Sequence, residues 1–433
     1  MTSDLKSWQL SGQDRRTLAL ASLGGALEFY DFVIFVFFAA VIGKVFFPPD
    51  IPEWLRQVQT FGIFAAGYLA RPLGGLIMAH FGDRDGRKRM FMVSVLLMAV
   101  PTLLMGMLPT YASAGLAAPL MLLVMRLLQG AAVGGEVPGA WVFASEHVPP
   151  SRIGLACGVL TFGLTMGILM GSLMANAIHS VWSEEQVLAG YWRVPFVIGG
   201  LFGLLALWLR RYLHETPVFK ELRARRALVE GLPLRQVLRD HRTAVARSMI
   251  FSWLLTAGIV VVILMTPALA QTSYQLPAQQ ALEANSWATL SLAFACVAYG
   301  MAADRFGAAR TLLVGATGLL LSSLLLYWTL AKAPAYFSPV YILTGFCVGV
   351  VGAVPAFMVH AFPPTVRFSG ISLSYNVAYA VSGGLTPLVV TLWLRSDAQA
   401  PAYYVSVVAV VASVTGLWAL RTDSIRDMEK TPG

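Results

Sequence analysis

Residues 79–88 read Ala79-His-Phe-Gly-Asp83-Arg84-Asp-Gly86-Arg87-Lys88, and residues 300–310 read Gly300-Met-Ala-Ala-Asp304-Arg305-Phe-Gly307-Ala-Ala-Arg310. Each phrase is a short charged gap between two long apolar runs, and Asp83 and Asp304 stand 221 residues apart. Two further echoes keep the same order and nearly the same offset: Gly135-Glu-Val-Pro138 with Gly352-Ala-Val-Pro355, and Pro149-Pro-Ser-Arg152 with Pro363-Pro-Thr-Val-Arg367. Three phrases repeated in register indicate a duplicated unit about half the chain long. Outward from them, twelve apolar blocks of membrane-spanning length follow one another, roughly 17–45, 54–79, 89–108, 116–145, 153–178, 192–213, 246–270, 285–303, 311–331, 337–360, 368–394 and 402–420. The fold class predicted is an all-α membrane protein of twelve transmembrane helices in two six-helix repeats. The expected organisation is an N-terminal half, 1–213, a partly helical cytoplasmic linker, 214–245, and a C-terminal half, 246–433.

Composition points the same way. Of 433 residues, 57% are apolar and only 12% charged, against about 25% charged in soluble domains; the mean hydropathy is +0.69. The net charge of +9 raises the question of a nucleic-acid partner, and its distribution answers it. With both termini cytoplasmic, 24 of the 31 Lys and Arg fall on the inner side and five on the outer, leaving Arg71 and Arg126 inside spans. That bias follows the positive-inside rule and accounts for the charge without nucleic acid. The polar stretch 1–16 carries no cleavable signal pattern, so the first apolar block is read as a retained span. Cys157, Cys296 and Cys347 lie in apolar runs at unrelated spacings and suggest neither disulfide nor metal. No cofactor is expected. No P-loop, H-E-x-x-H or G-x-S-x-G phrase supports an enzyme or an ATP-driven pump.

Ionisable residues inside spans mark pathways, because hydrocarbon penalises charge. Glu28 and Asp31 are three apart on the first span, and Glu136, Arg126 and Gln129 share the fourth. The expected proton-handling residues are Glu28, Asp31 and Glu136. Glu136 is singled out because its counterpart in the repeat is the neutral Ala353. In that reading protonated Glu136 releases Arg126 to an anionic substrate, and deprotonated Glu136 recaptures it. Span eleven presents Ser372, Tyr375, Asn376 and Tyr379 along one stripe. The expected substrate ligands are Tyr30, Arg71, Arg126, Gln129, Tyr375 and Asn376. Gly163, Gly167 and Gly171 repeat every four residues on span five and suggest close helix packing. Asp83, Arg84, Arg87, Glu146, Arg152, Glu215, Asp304 and Arg305 cluster at cytoplasmic helix ends. They are expected to latch one conformation and part in the other.

The Asp-Arg-x-Gly-Arg-Lys phrase resembles the signature of the major facilitator superfamily. More narrowly, Gly-Ala-Leu-Glu28-Phe-Tyr30-Asp31-Phe, Ala70-Arg71-Pro-Leu-Gly-Gly, Arg126-Leu-Leu-Gln129-Gly-Ala-Ala-Val-Gly-Gly-Glu136, Tyr191-Trp-Arg193-Val-Pro-Phe, Glu215-Thr-Pro-Val-Phe219 and Phe362-Pro-Pro-Thr-Val-Arg367-Phe-Ser-Gly370 resemble the metabolite:proton symporter family. The chain departs from that family's pattern at Ala79, Pro138, Ala308, Ala309, His360 and Thr365. The resemblance implies a monomeric carrier in the inner or plasma membrane that moves a small metabolite together with protons by alternating access. The substrate expected is a small organic acid, since Arg71 and Arg126 suit a carboxylate. The alternatives are a zwitterionic compatible solute of the betaine or proline type, whose nitrogen needs an aromatic box, or an efflux antiporter. Span five, 153–178, holds no proline, which favours uptake.

Overall fold

The computed structural model describes residues 10–211, 221, 224, 233–394 and 396–430. Twelve of its helices are long and apolar enough to cross a membrane: α1 Gly12–Phe37, α2 Gly62–Gly82, α3 Lys88–Met105, α4 Ala117–Ser145, α5 Pro150–Val181, α6 Tyr191–Leu209, α7 Arg242–Gln271, α8 Gln280–Phe306, α9 Ala308–Lys332, α10 Pro334–Ala361, α11 Arg367–Leu394 and α12 Ala400–Arg421. Backbone groups find no water in hydrocarbon, so each span closes its hydrogen bonds within itself. No strand occurs among the described residues. The expected linker 214–245 lies largely outside them. Its described end is the helix Pro233–Asp240, and α7 begins at Arg242 rather than at 246.

The duplication is visible in the packing. In the first half α1 packs on α5 and α6, α2 on α4, and α3 on α4 and α6. In the second, α7 packs on α11 and α12, α8 on α10, and α9 on α10 and α12, the same pairs shifted by six. The two repeated phrases also share one backbone. Gly86 (φ 122°, ψ 141°) joins the helix ending at Asp85 to α3, and Gly307 (φ 87°, ψ 144°) joins α8 to α9. A positive φ at a one-residue break is open to glycine and strained for other residues. α3, α6, α9 and α12 present large apolar side chains outward, among them Val93, Leu96, Leu201, Leu204, Val314, Leu321, Val407 and Val414. Hydrocarbon is the solvent in which that surface costs nothing.

The halves meet along two helix pairs, α5 with α8 and α2 with α11. Both crossings depend on small residues. A Cβ at Gly154 would stand 2.3 Å from the Gly300 carbonyl oxygen, and one at Gly300 would stand 2.4 Å from that of Gly154. A Cβ at Gly75 would meet Asn376 Nδ2 at 2.3 Å. Within the first half the expected glycine stripe sets α5 against α1, with Gly163 facing the Ser22 carbonyl and Gly167 that of Ala26.

α7 is not one regular helix: Gly258–Met265 winds as a wider π segment. Its carbonyls are taken by neighbouring hydroxyls, Val261 by Thr266 at 3.0 Å and Val262 by Tyr341 at 2.6 Å. Such segments persist where side chains satisfy the displaced backbone groups.

Candidate functional site

The two buried arginines lie where α1, α2, α4 and α11 converge. On α2, Phe64, Tyr68 and Arg71 follow at i, i+4 and i+7 and so share a face. Arg71 is 1% exposed. Its guanidinium carbon lies 4.1 Å from the Tyr379 ring centre, 5.1 Å from Tyr375 and 5.6 Å from Tyr68. The first two rings belong to α11, so Arg71 bridges the halves. Arg126 lies within the first half, fully buried, 4.4 Å from Phe35, 4.8 Å from Phe32 and 5.1 Å from Phe64. Tyr68 joins the two nests, stacked on Tyr379 at 5.6 Å and edge-on to Phe32 and Phe64.

Neither arginine has a carboxylate partner among the described residues. Arg126 Nη1 donates to Gln129 Oε1 at 2.7 Å and more weakly to the Phe32 carbonyl at 3.4 Å. Nε and Nη2 of both arginines are buried with no acceptor from the protein. Burying a guanidinium half-satisfied costs several kcal/mol, which the ring faces offset only in part. These four nitrogens, two where the halves meet and two within the first half, are donors of the kind that a carboxylate accepts from. Asn376 Nδ2 donates to the Gly134 carbonyl at 2.6 Å and to Ser372 Oγ at 3.1 Å, tying α11 to α4, while its Oδ1 has no donor.

The three expected proton-handling acids separate. Asp31 is fully buried, and both its oxygens accept no hydrogen bond. They lie against α6, where a Cβ at Gly199 would stand 2.7 Å from Oδ1 and one at Gly203 would stand 3.0 Å from Oδ2. That glycine-lined recess also borders Thr102, whose hydroxyl accepts from Gln129 Nε2 at 2.6 Å. Arg126, Gln129 and Thr102 thus form one hydrogen-bonded line from α4 to α3, and it ends beside the Asp31 recess, which Thr102 borders with its methyl carbon. Glu136 instead accepts from Ser94 Oγ on α3 at 2.5 Å. Ten residues of helix, about 15 Å of rise, separate it from Arg126, so the expected Glu136–Arg126 pair is absent here. Glu28 is buried on α1. Tyr30 does not line the site: its hydroxyl donates to the Pro195 carbonyl at 3.1 Å and its ring meets Phe202 of α6. Its ring edge borders the same Gly199 recess as Asp31, inside the first half's own core.

The latch residues also divide. Asp304, at the end of α8, accepts from the backbone N–H of Gly154 at 2.6 Å and of Leu155 at 2.8 Å. It thereby caps α5 across the two halves, with Arg152 and His360 close enough for their charges to act on it. Glu146, ending α4, pairs at 3.5 Å with Arg367, opening α11. Arg84 and Arg305 are exposed, Arg305 lying over its neighbour Phe306, and neither makes an ion pair among the described residues. The side chains of Asp83 and Arg87, and Glu215 altogether, lie outside the described residues. His360 Nδ1 is engaged by the Ala356 carbonyl at 2.7 Å.

Sequence reasoning missed Phe64 and Tyr68, although their spacing to Arg71 signals a shared face. It also passed over Arg367 as the ion-pair partner of Glu146, and Trp141, whose ring meets Tyr375 edge-on at 4.9 Å.

Residues 21–387 match the sequence profile of the Major Facilitator Superfamily. A putative proline/betaine transporter of Staphylococcus aureus (strain COL) is 30% identical over 413 residues, 92% of this chain and 86% of that protein. The chain belongs to the metabolite:proton symporter family of this superfamily. The chain is also 29% identical to the proline/betaine transporter of Escherichia coli (strain K12), over 94% of this chain and 83% of the relative. Its fold is that of the proton:xylose symporter XylE, with a TM-score of 0.77 at 17% identity, covering 94% of this chain and 95% of that one. It is a multi-pass membrane transporter, not an enzyme.

Proposed function

We propose that this symporter imports a zwitterionic compatible solute of the proline or betaine type together with protons, by alternating access about the Arg71–Tyr375–Tyr379 site. The observation that carries this is the pair of buried guanidinium groups set among aromatic rings, with donors left over for a carboxylate. The names of the two curated relatives favour a zwitterion over a plain organic acid. The small-organic-acid reading stands second, because any carboxylate meets the same arginines.

Arg71, in contact with both halves, anchors the carboxylate. Arg126 is the switch. An ionised Asp31 competes for it through the Thr102–Gln129 line, and a protonated Asp31 leaves it to the substrate site. Proton and substrate then load together, as coupling requires. Both termini face the cytoplasm, so the Asp304 and Glu146–Arg367 contacts close the cytoplasmic side. With that side closed, loading proceeds from outside.

The test is uptake into proteoliposomes under an imposed inward proton gradient, using labelled glycine betaine, proline and citrate. Accumulation of glycine betaine or proline, abolished by a protonophore, is the expected result. Accumulation of citrate alone would move the reading to organic acids.

A further inference from the structure

We propose that Trp141 is the specificity-determining residue for the substrate's positive nitrogen: its indole faces the onium group while Arg71 holds the carboxylate. This deepens the zwitterion reading above and rests on it.

Trp141 lies on α4, 1% exposed. Its indole N–H has no acceptor from the protein, although a buried tryptophan normally finds one. Its ring meets Tyr375 at 4.9 Å and 77°. Arg71 lies 5.1 Å from that same Tyr375 ring, so an indole and an anion-seeking guanidinium share one neighbour. A small zwitterion spans a single ring of this size.

The other rings of the site are less suited to a second cation. Tyr68, Tyr375 and Tyr379 already carry Arg71, and Phe32, Phe35 and Phe64 carry Arg126. Another cation brought to those rings meets the arginine's charge there. Among the described residues no guanidinium lies over Trp141, and indole is the side chain with the strongest attraction for a cation.

A mere packing role for Trp141 predicts that its loss harms every ligand alike. Selection of an onium predicts harm confined to ligands that carry one. The decisive pair of probes is glycine betaine and 3,3-dimethylbutanoate, its isostere of the same shape and carboxylate with a neutral quaternary carbon in place of the charged nitrogen. Dissociation constants of both are measured on the full chain in nanodiscs for wild type, Trp141→Phe and Trp141→Leu. Wild type should prefer glycine betaine by about tenfold. Trp141→Leu should bring glycine betaine down to the isostere's affinity while leaving the isostere unchanged, which also reports a folded site. Trp141→Phe, which keeps a weaker π face, should lie between them. Equal loss of both ligands, or an unchanged ratio, would overturn the assignment of Trp141 alone. Failure of wild type to bind glycine betaine while binding citrate would remove the zwitterion reading and this inference with it.

Discussion

At the scale of single residues, the site is organised by what its charges lack. Arg71 and Arg126 have rings but no carboxylate, and Asp31 has neither a donor nor a cation among the described residues. Keeping two cations and one acid apart in a low-dielectric interior makes the arrangement responsive to any mobile charge that enters. Asp31→Asn should therefore abolish uphill uptake yet leave counterflow of substrate across proteoliposomes intact. Retained accumulation with ordinary pH dependence would move the coupling role to Glu136 or Glu28. Arg71→Lys removes the planar fork and should weaken substrate binding by about 10- to 100-fold, the worth of a charge-assisted bidentate contact, measured by titration in nanodiscs. Sequence spacing identified the residue types here, and Arg71, Arg126 and Gln129 do fall in one neighbourhood. It did not reveal that Tyr30 turns to α6 or that Glu136 bonds Ser94. Periodicity fixes the angle between residues on one helix, not which neighbour each face meets.

At the scale of helices, close approach is set by glycine, and the two kinds of crossing have different consequences. Gly163 sits where α5 meets α1 inside one half, and a Cβ there would stand 2.2 Å from the Ser22 carbonyl oxygen. Gly154 sits where α5 meets α8 across the halves, beside the Asp304 cap. The proposed alternating access requires the first contact to persist and the second to break. Gly154→Ala should push the α5 and α8 ends apart and enrich the state open on the latch side, seen as a longer spin-label distance between them. Gly163→Ala should lower thermal stability without shifting that distance. A distance unmoved by Gly154→Ala would show that the crossing does not hold the latch. The twelve spans, the repeat and the glycine stripe were legible from hydropathy and spacing. The π segment was not, because Gly258-Ile-Val-Val-Val-Ile-Leu-Met265 is apolar on every face and carries no periodic signal.

At the scale of the whole molecule, a duplicated bundle with few polar groups at its midplane has limited means of coupling two solutes. The Asp304 and Glu146–Arg367 contacts lie at one end, the rings and the two arginines nearer the middle, and the hydrogen-bonded line from Arg126 through Gln129 to Thr102 ends beside Asp31. The identity of the substrate was the least legible feature. A carboxylate receptor is common to organic acids and zwitterions, and the cation-selecting surface depends on packing between α4 and α11 that no single helix encodes. The central claim, that substrate and proton travel together in one direction through this path, is tested most directly by following lumenal pH in proteoliposomes. Substrate is added outside with no imposed pH gradient and with the membrane potential clamped. The account predicts that glycine betaine or proline acidifies the lumen as it enters, and that Asp31→Asn admits it without acidification. Entry into wild-type vesicles with no pH change, or with lumenal alkalinisation, would contradict symport.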